Sequence, residues 1–196
     1  MNSHPVMQIR RWNKFDPCSV IRSGSIWATV AVSMLVVSGC VTGPKVPPIL
    51  QVPVGQNVFL HAYAKGVQIY VCEPSATEPS KFTWKLKAPE AMLFDTCGNV
   101  IGSHFAGPTW ESDRDGSKFT GEVLQRSLSP TSNAIPWLLL KARATEPPGC
   151  FHPVVFIQRV NTTGGLAPRT GADAVHLGME LRVPYTAEYY FYRDAH

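Results

Sequence analysis

KFTWKLKA, residues 81–88, alternates without a break: Phe82, Trp84 and Leu86 fall on one side, Lys81, Thr83, Lys85 and Lys87 on the other. Successive side chains of an extended chain point to opposite faces, so a period of two reads as a strand. The aromatic face is expected in the core and the lysine face in solvent. A face of three lysines suits anions, but a solvated outer wall is its ordinary use.

The same chemistry recurs along the chain. NVFLHAYA (57–64), VQIYVC (67–72), AMLFD (91–95) and VIGSHF (100–105) are rich in β-branched and aromatic residues, as are KFTGEVLQRSL (118–128), WLLLKARAT (137–145), PVVFIQRVNT (153–162) and YTAEYYFYR (185–193). Between them stand turn formers: Lys65-Gly66, EPSATEPS, Cys97-Gly98, DRDGS, SPTSNAIP, EPPG and TGGLAPRTGAD. Strands at this spacing, with no long amphipathic helix, predict an all-β single domain over residues 52–196, an antiparallel sandwich or barrel. In the last run Ala187, Tyr189 and Phe191 oppose Glu188, Tyr190 and Tyr192. Both faces are apolar enough for a strand covered on each side, or for outer tyrosines lining a groove.

The 196 residues are 44% hydrophobic and 16% charged, with 17 Pro and 15 Gly. That is a globular, turn-rich composition with enough chain for one sizeable core. Of the net charge of +4, residues 1–39 contribute three units through Arg10, Arg11, Lys14 and Arg22 against Asp16. The remainder is nearly neutral and has no basic stripe, which argues against nucleic acid as a partner.

The N-terminal segment reads as an address. In SIWATVAVSMLVVSGC (25–40), Trp27 to Val37 is too short for a permanent span but fits the apolar region of a secretory signal, with basic residues upstream. It ends in Val37-Ser38-Gly39-Cys40, which resembles the bacterial lipobox. Residues 1–39 are therefore expected to be a signal peptide, with Cys40 acylated and anchored in the membrane. The plain alternative is a buried helix with an incidental cysteine. Val41, rather than Asp, follows Cys40, as in lipoproteins of the outer membrane. The leader before Ser25 is long, and a start at Val20 gives a more usual one. Pro44, Pro47, Pro48 and Pro53 predict an extended tether over residues 40–51.

Five cysteines are present. With Cys18 in the leader and Cys40 lipidated, Cys72, Cys97 and Cys150 remain in a compartment where disulfides persist. Cys72–Cys97 is the natural pair and Cys150 the alternative partner for either. No CxxC motif suggests zinc.

The richest polar stretch is VIGSHFAGPTWESDRDGS (100–117). A catalytic or metal reading takes His104 as ligand or base, Glu111 or Asp113 beside it, and His61 brought near across strands. Two histidines and a carboxylate suit a divalent metal, Zn²⁺ or Cu²⁺. The structural reading makes Trp110 a core plug, His104 and Glu111 braces of a bend, and Asp115-Gly116 the tip of a hairpin. It takes precedence, because convergence in space makes a site. In QRVNTTGG (158–165), Arg159 and Asn161 are expected on one strand face. Arg159 is a candidate for a ligand carboxylate, or for a salt bridge to Glu111 or Asp173. No nucleotide, haem or flavin motif is present, and His152 beside Cys150 lacks an oxyanion hole.

AKGVQIYVC, FTWKLKAPEAMLFD, IGSHFAGPTWES, FIQRVNTTGG and VPYTAEYYFY together resemble the motifs of a secreted bacterial and fungal family, domain of unknown function 3455, over roughly residues 52–192. That resemblance implies a secreted single domain and no particular activity. In that family a cysteine often follows the GG–AP loop; here the region reads RTGADAV. The sequence thus leads to an envelope lipoprotein whose β-domain binds a small ligand, a glycan or a protein. The alternative is a metal-binding protein or metal-dependent enzyme centred on His104 and His61.

Overall fold

The computed structural model describes residues 42–145 and 148–195. The leader and Cys40 lie outside the described residues. Among these residues eight strands form: β1 (Gln56–Pro74), β2 (Phe82–Phe94), β3 (Val100–Phe105), β4 (Thr109–Ser112), β5 (Lys118–Ser127), β6 (Trp137–Thr145), β7 (Phe156–Gly164) and β8 (Glu180–Asp194). Each pairs antiparallel with the next, and β8 returns to β1, so the sheet closes into a barrel. Of the two predicted architectures, the barrel is the one that forms.

Several runs merge. Lys65-Gly66 is not a turn: β1 runs straight through it, and Gly66 faces Ala91 across the ladder. A Cβ on Gly66 would overlap the Glu90 carbonyl, so glycine here serves close strand approach. Likewise β2 continues through Pro89. The short β4, within the predicted bend, is a strand of its own.

Inward side chains fill the barrel. Ala62 and Ala64 of β1, Ala91 of β2 and Ala187 of β8 give a thin wall. Trp110, Phe119, Phe151, Tyr189 and Phe191 occupy the space they leave, pairing small with large. An eight-stranded barrel is just wide enough for such filling. The outer wall carries cross-strand ion pairs, Glu111–Lys118 at 3.1 Å and Glu122–Arg143 at 3.1 Å among them. Apolar inside and charged outside is the reverse of the alternation in a lipid-embedded barrel.

Two departures concern the ends of the chain's elements. The first half of β2, up to Glu90, has no β3 partner, and β8 before Tyr185 has no β7 partner. With β1 between them, these halves extend beyond the barrel as a three-stranded flap. Its outer face is laced by Lys85–Glu73, Lys87–Glu180 and Arg182–Glu90. Its inner face has no opposing sheet; hence Trp84 is only half-buried and Leu86 is 51% exposed, against the expectation of core. Trp84 instead donates its indole N–H to the Thr170 carbonyl at 3.3 Å. At the other extreme, the proline-rich segment packs on the outer wall. Leu50, in a short 3-10 turn (Pro48–Leu50), is 0% exposed among Trp137, Leu139 and Val160. Gln158 donates to its carbonyl at 2.6 Å. The folded part thus begins before Val52, and the outer tyrosines of β8 are covered, Tyr190 packing against this cluster.

Cys72 and Cys150 are free thiols, so the expected Cys72–Cys97 bridge and its alternatives through Cys150 do not form. Cys72 pairs with Trp84 near the start of β2, whereas Cys97 follows its end. The ten-residue separation is on the order of 30 Å at ~3.3 Å per residue, far beyond the reach of a disulfide.

Candidate functional site

His104 and His61 sit on opposite faces of the wall. On β3 the inward positions are Gly102 and His104; on β1 they are Ala62 and Ala64, which turns His61 outward. His104 is fully enclosed, stacked on Trp110 at 4.2 Å between ring centroids. Its Nδ1–H donates to the Thr109 carbonyl at 2.9 Å, bracing the β3–β4 turn. Since a carbonyl only accepts, this fixes the tautomer. Burial lowers the His104 pKa to about 3; the Thr109 bond opposes this weakly and the Arg159 charge reinforces it. The ring is therefore neutral at ordinary pH.

Glu111 points outward to Lys118, and Asp113 is exposed in the following turn. The structure does not bring His61, His104, Glu111 and Asp113 together. Among the described residues no three His, Cys, Asp or Glu side chains converge as a metal site would require.

Arg159 and Asn161 also part. Val160 pairs with Glu188 and Thr163 with Thr186, so β7 carries one extra residue, and Asn161 adopts φ 48°. This bulge shifts the alternation. Asn161 turns outward and donates to Glu188 Oε1 at 3.0 Å. Glu188 Oε2 accepts from His61 Nε2 at 2.9 Å and from the Tyr190 hydroxyl at 3.2 Å, with Tyr190 stacked on His61. These four residues clamp β7, β8 and β1 from outside, beside a shallow groove that Tyr63 and Phe94 also line.

Arg159 turns inward. Its ladder neighbours are Leu138 and Tyr189, both core residues. It meets a group that the sequence reading did not single out: Gln68 and Tyr70 of β1, and Tyr185 and Tyr189 of β8. Gln68 is 2% exposed, Tyr185 2% and Tyr189 1%. Tyr185 has Tyr189, Gln68 and Arg159 near enough to perturb its hydroxyl, and Tyr189 likewise has Tyr185 and Arg159. The Gln68 amide and the hydroxyls of Tyr185 and Tyr189 thus lie together beside the Arg159 guanidinium. Burial raises both phenols well above their ordinary value, so each remains an O–H. Buried polar groups in folded proteins nearly always have partners. Here Tyr185, Tyr189, Gln68 and Arg159 have one another, which makes them a buried polar cluster inside the barrel.

Backbone carbonyls tie this cluster down where β6 begins and β7 ends. Arg159 Nε and Nη2 donate to the Pro136 carbonyl at 3.2 and 2.8 Å. Thr162 donates to the Ile135 carbonyl at 2.6 Å, and Tyr70 to the Gly165 carbonyl at 2.6 Å. Gly165, at φ 81°, lies so close to Tyr185, Ile135 and Gln68 that a Cβ would crowd all three. The ion pairs of the described residues all lie elsewhere, so neither Glu111 nor Asp173 serves Arg159. Trp110 packs edge-on to Tyr189 at 5.5 Å.

A second polar knot surrounds Cys150. Its amide donates to Asp115 Oδ2 at 2.7 Å and its thiol lies 3.1 Å from the Ser112 hydroxyl. Burial alone would raise the Asp115 carboxyl, but bonds from Cys150 and Ser117 outweigh it and hold it below its usual range. The Cys150 thiol also donates to Asp115 Oδ1 at 3.3 Å, so this cysteine ties its loop to the turn between β4 and β5.

A protein-family model described as "Protein of unknown function (DUF3455)" matches residues 53–193, and the chain belongs to that family. Neither the curated proteins nor the solved structures contain a match to it.

Proposed function

We propose that this family member is a lipid-anchored envelope protein whose barrel binds a small polar ligand without converting it. The lipobox at Cys40 and the apolar run before it support the anchor. The observation that carries the binding role is the cluster of buried polar side chains, Gln68, Tyr185 and Tyr189, gathered around Arg159 inside the barrel. A binding chamber is characteristically apolar with a few convergent polar groups, and the Trp110, His104 and Phe119 stack supplies the apolar floor. The stretches that carry the family resemblance also supply these groups: Gln68 and Tyr70 from one, His104 and Trp110 from another, Arg159 from a third, Tyr185 and Tyr189 from the last. A binding role fits better than catalysis, since His104 is neutral with its proton engaged and no nucleophile adjoins it.

The test is to purify the full chain, denature it and analyse the released small molecules by mass spectrometry. A stoichiometric small molecule is expected, and its loss in the double variant Tyr185→Phe, Tyr189→Phe with the fold retained by circular dichroism. If nothing is released and the double variant is the more stable protein, the hydroxyls are only solvated and the binding role is wrong.

A further inference from the structure

We infer that the barrel sits directly on the lipid bilayer, with the end where β1 begins against the headgroups. This rests on the anchor at Cys40 proposed above and adds the surface through which the folded part meets the membrane. A free proline-rich stretch over residues 40–51 would hold the domain clear of the lipid. Here most of that length is already spent on the barrel wall. A Cβ on Gly43 would overlap the Tyr192 hydroxyl, so the chain lies against the wall at that residue. From there Val46 and Leu50 pack on Trp137, Leu139 and Val160. Three residue steps lead from Cys40 to Gly43. An extended chain spans at most ~3.6 Å per residue, so the anchor lies within about 11 Å of the wall. The direction is set as well. Tyr192 pairs with Phe156 at the start of β7, whereas Val160 lies further along that strand. Followed back from Leu50 to Gly43, the segment therefore runs towards the end where β1 starts and β8 finishes. The β2–β3, β4–β5 and β6–β7 turns share that end. Val54, in the turn before β1, is fully exposed there, and Val100 at the start of β3 is partly so. Apolar tips are disfavoured in water and stabilised at the boundary of headgroups and acyl chains. Charge on this end is mixed, Arg114 beside Asp113 and Arg193 beside Asp194, so anchor and apolar contact set the seat without need of anionic lipid. The flap, at the other end, points away from the bilayer.

The experiment uses the full chain, processed in cells, purified in detergent and reconstituted into phosphatidylcholine vesicles. The vesicles carry brominated acyl chains, which quench tryptophan on close approach. Val54→Trp places a reporter at the proposed contact and Leu86→Trp places one on the flap. Both positions are exposed, so circular dichroism should match the wild type. Each variant is read as emission added over the wild type, with unbrominated vesicles as reference. The Val54→Trp emission should be largely lost in brominated lipid and the Leu86→Trp emission kept. If the protein stays on the vesicles and both reporters are quenched alike, or neither is, the barrel has no fixed seat and the inference is overturned. Quenching of Leu86→Trp alone would place the flap on the lipid and overturn it too. Intact mass separates the two readings. A chain that carries no acyl groups removes the anchor, and the seat falls with it; an acylated chain with unquenched Val54→Trp keeps the anchor and loses the seat.

Discussion

Two glycines, Gly66 and Gly116, differ in what an alanine would cost. Gly66→Ala places a methyl group into the Glu90 carbonyl and Ala91, backbone that cannot yield without parting β1 from β2. Loss of ~3 kcal/mol or more is expected, against ~1–2 for Gly116→Ala, where space is open and only the positive φ of 69° opposes alanine. Urea midpoints of the two variants check the contrast. His104 gives the chain an acid-sensitive core. Its folded pKa of about 3 lies below the unfolded value near 6.5, so between those limits the unfolded chain binds more protons. The stability it confers is complete above pH 6.5 and drains away as pH falls towards 3. Unfolding free energy should drop by more than ~1 kcal/mol between pH 7 and 4, and His104→Gln should flatten that dependence.

Among the elements, the segment before β1 behaves as part of the barrel although the family match begins at residue 53. Leu50 is wholly enclosed, and truncating such a side chain costs ~2–5 kcal/mol. Leu50→Ala should lower the denaturation midpoint accordingly, as should deletion of residues 43–51. The flap of β1, β2 and β8 has two free edges, and each carries a proline, Pro89 and Pro184, with charged neighbours. Such residues blunt edge-to-edge pairing. The KFTWKLKA pattern predicted the strand and its solvent face; its other face met no second sheet, because β2 outruns β3 there. Alternation tells which residues share a face and cannot tell what lies opposite.

For the whole molecule, closure of β8 on β1 decides both the buried polar cluster and the cysteines. Cys72 is sealed and Cys150 half-buried, both reduced. Alkylation without reductant should label Cys150 in the native protein and Cys72 only after unfolding. In VQIYVC the period of two was plain, yet its polar members, Gln68 and Tyr70, are the ones inside. A rule that sends apolar side chains inward would face this segment the wrong way. Arg159 and Asn161 were separated by one inserted residue, a bulge that no local pattern announces. The amino-acid order alone established an all-β chain and the alternation within its strands, since each is a property of near neighbours. Only the tertiary structure decided that the sheet closes, that His61 and His104 face apart, and that β1 and β8 bring Gln68, Tyr185 and Tyr189 to Arg159 of β7. Those outcomes depend on register between residues distant in sequence, where a one-residue shift exchanges inside for outside.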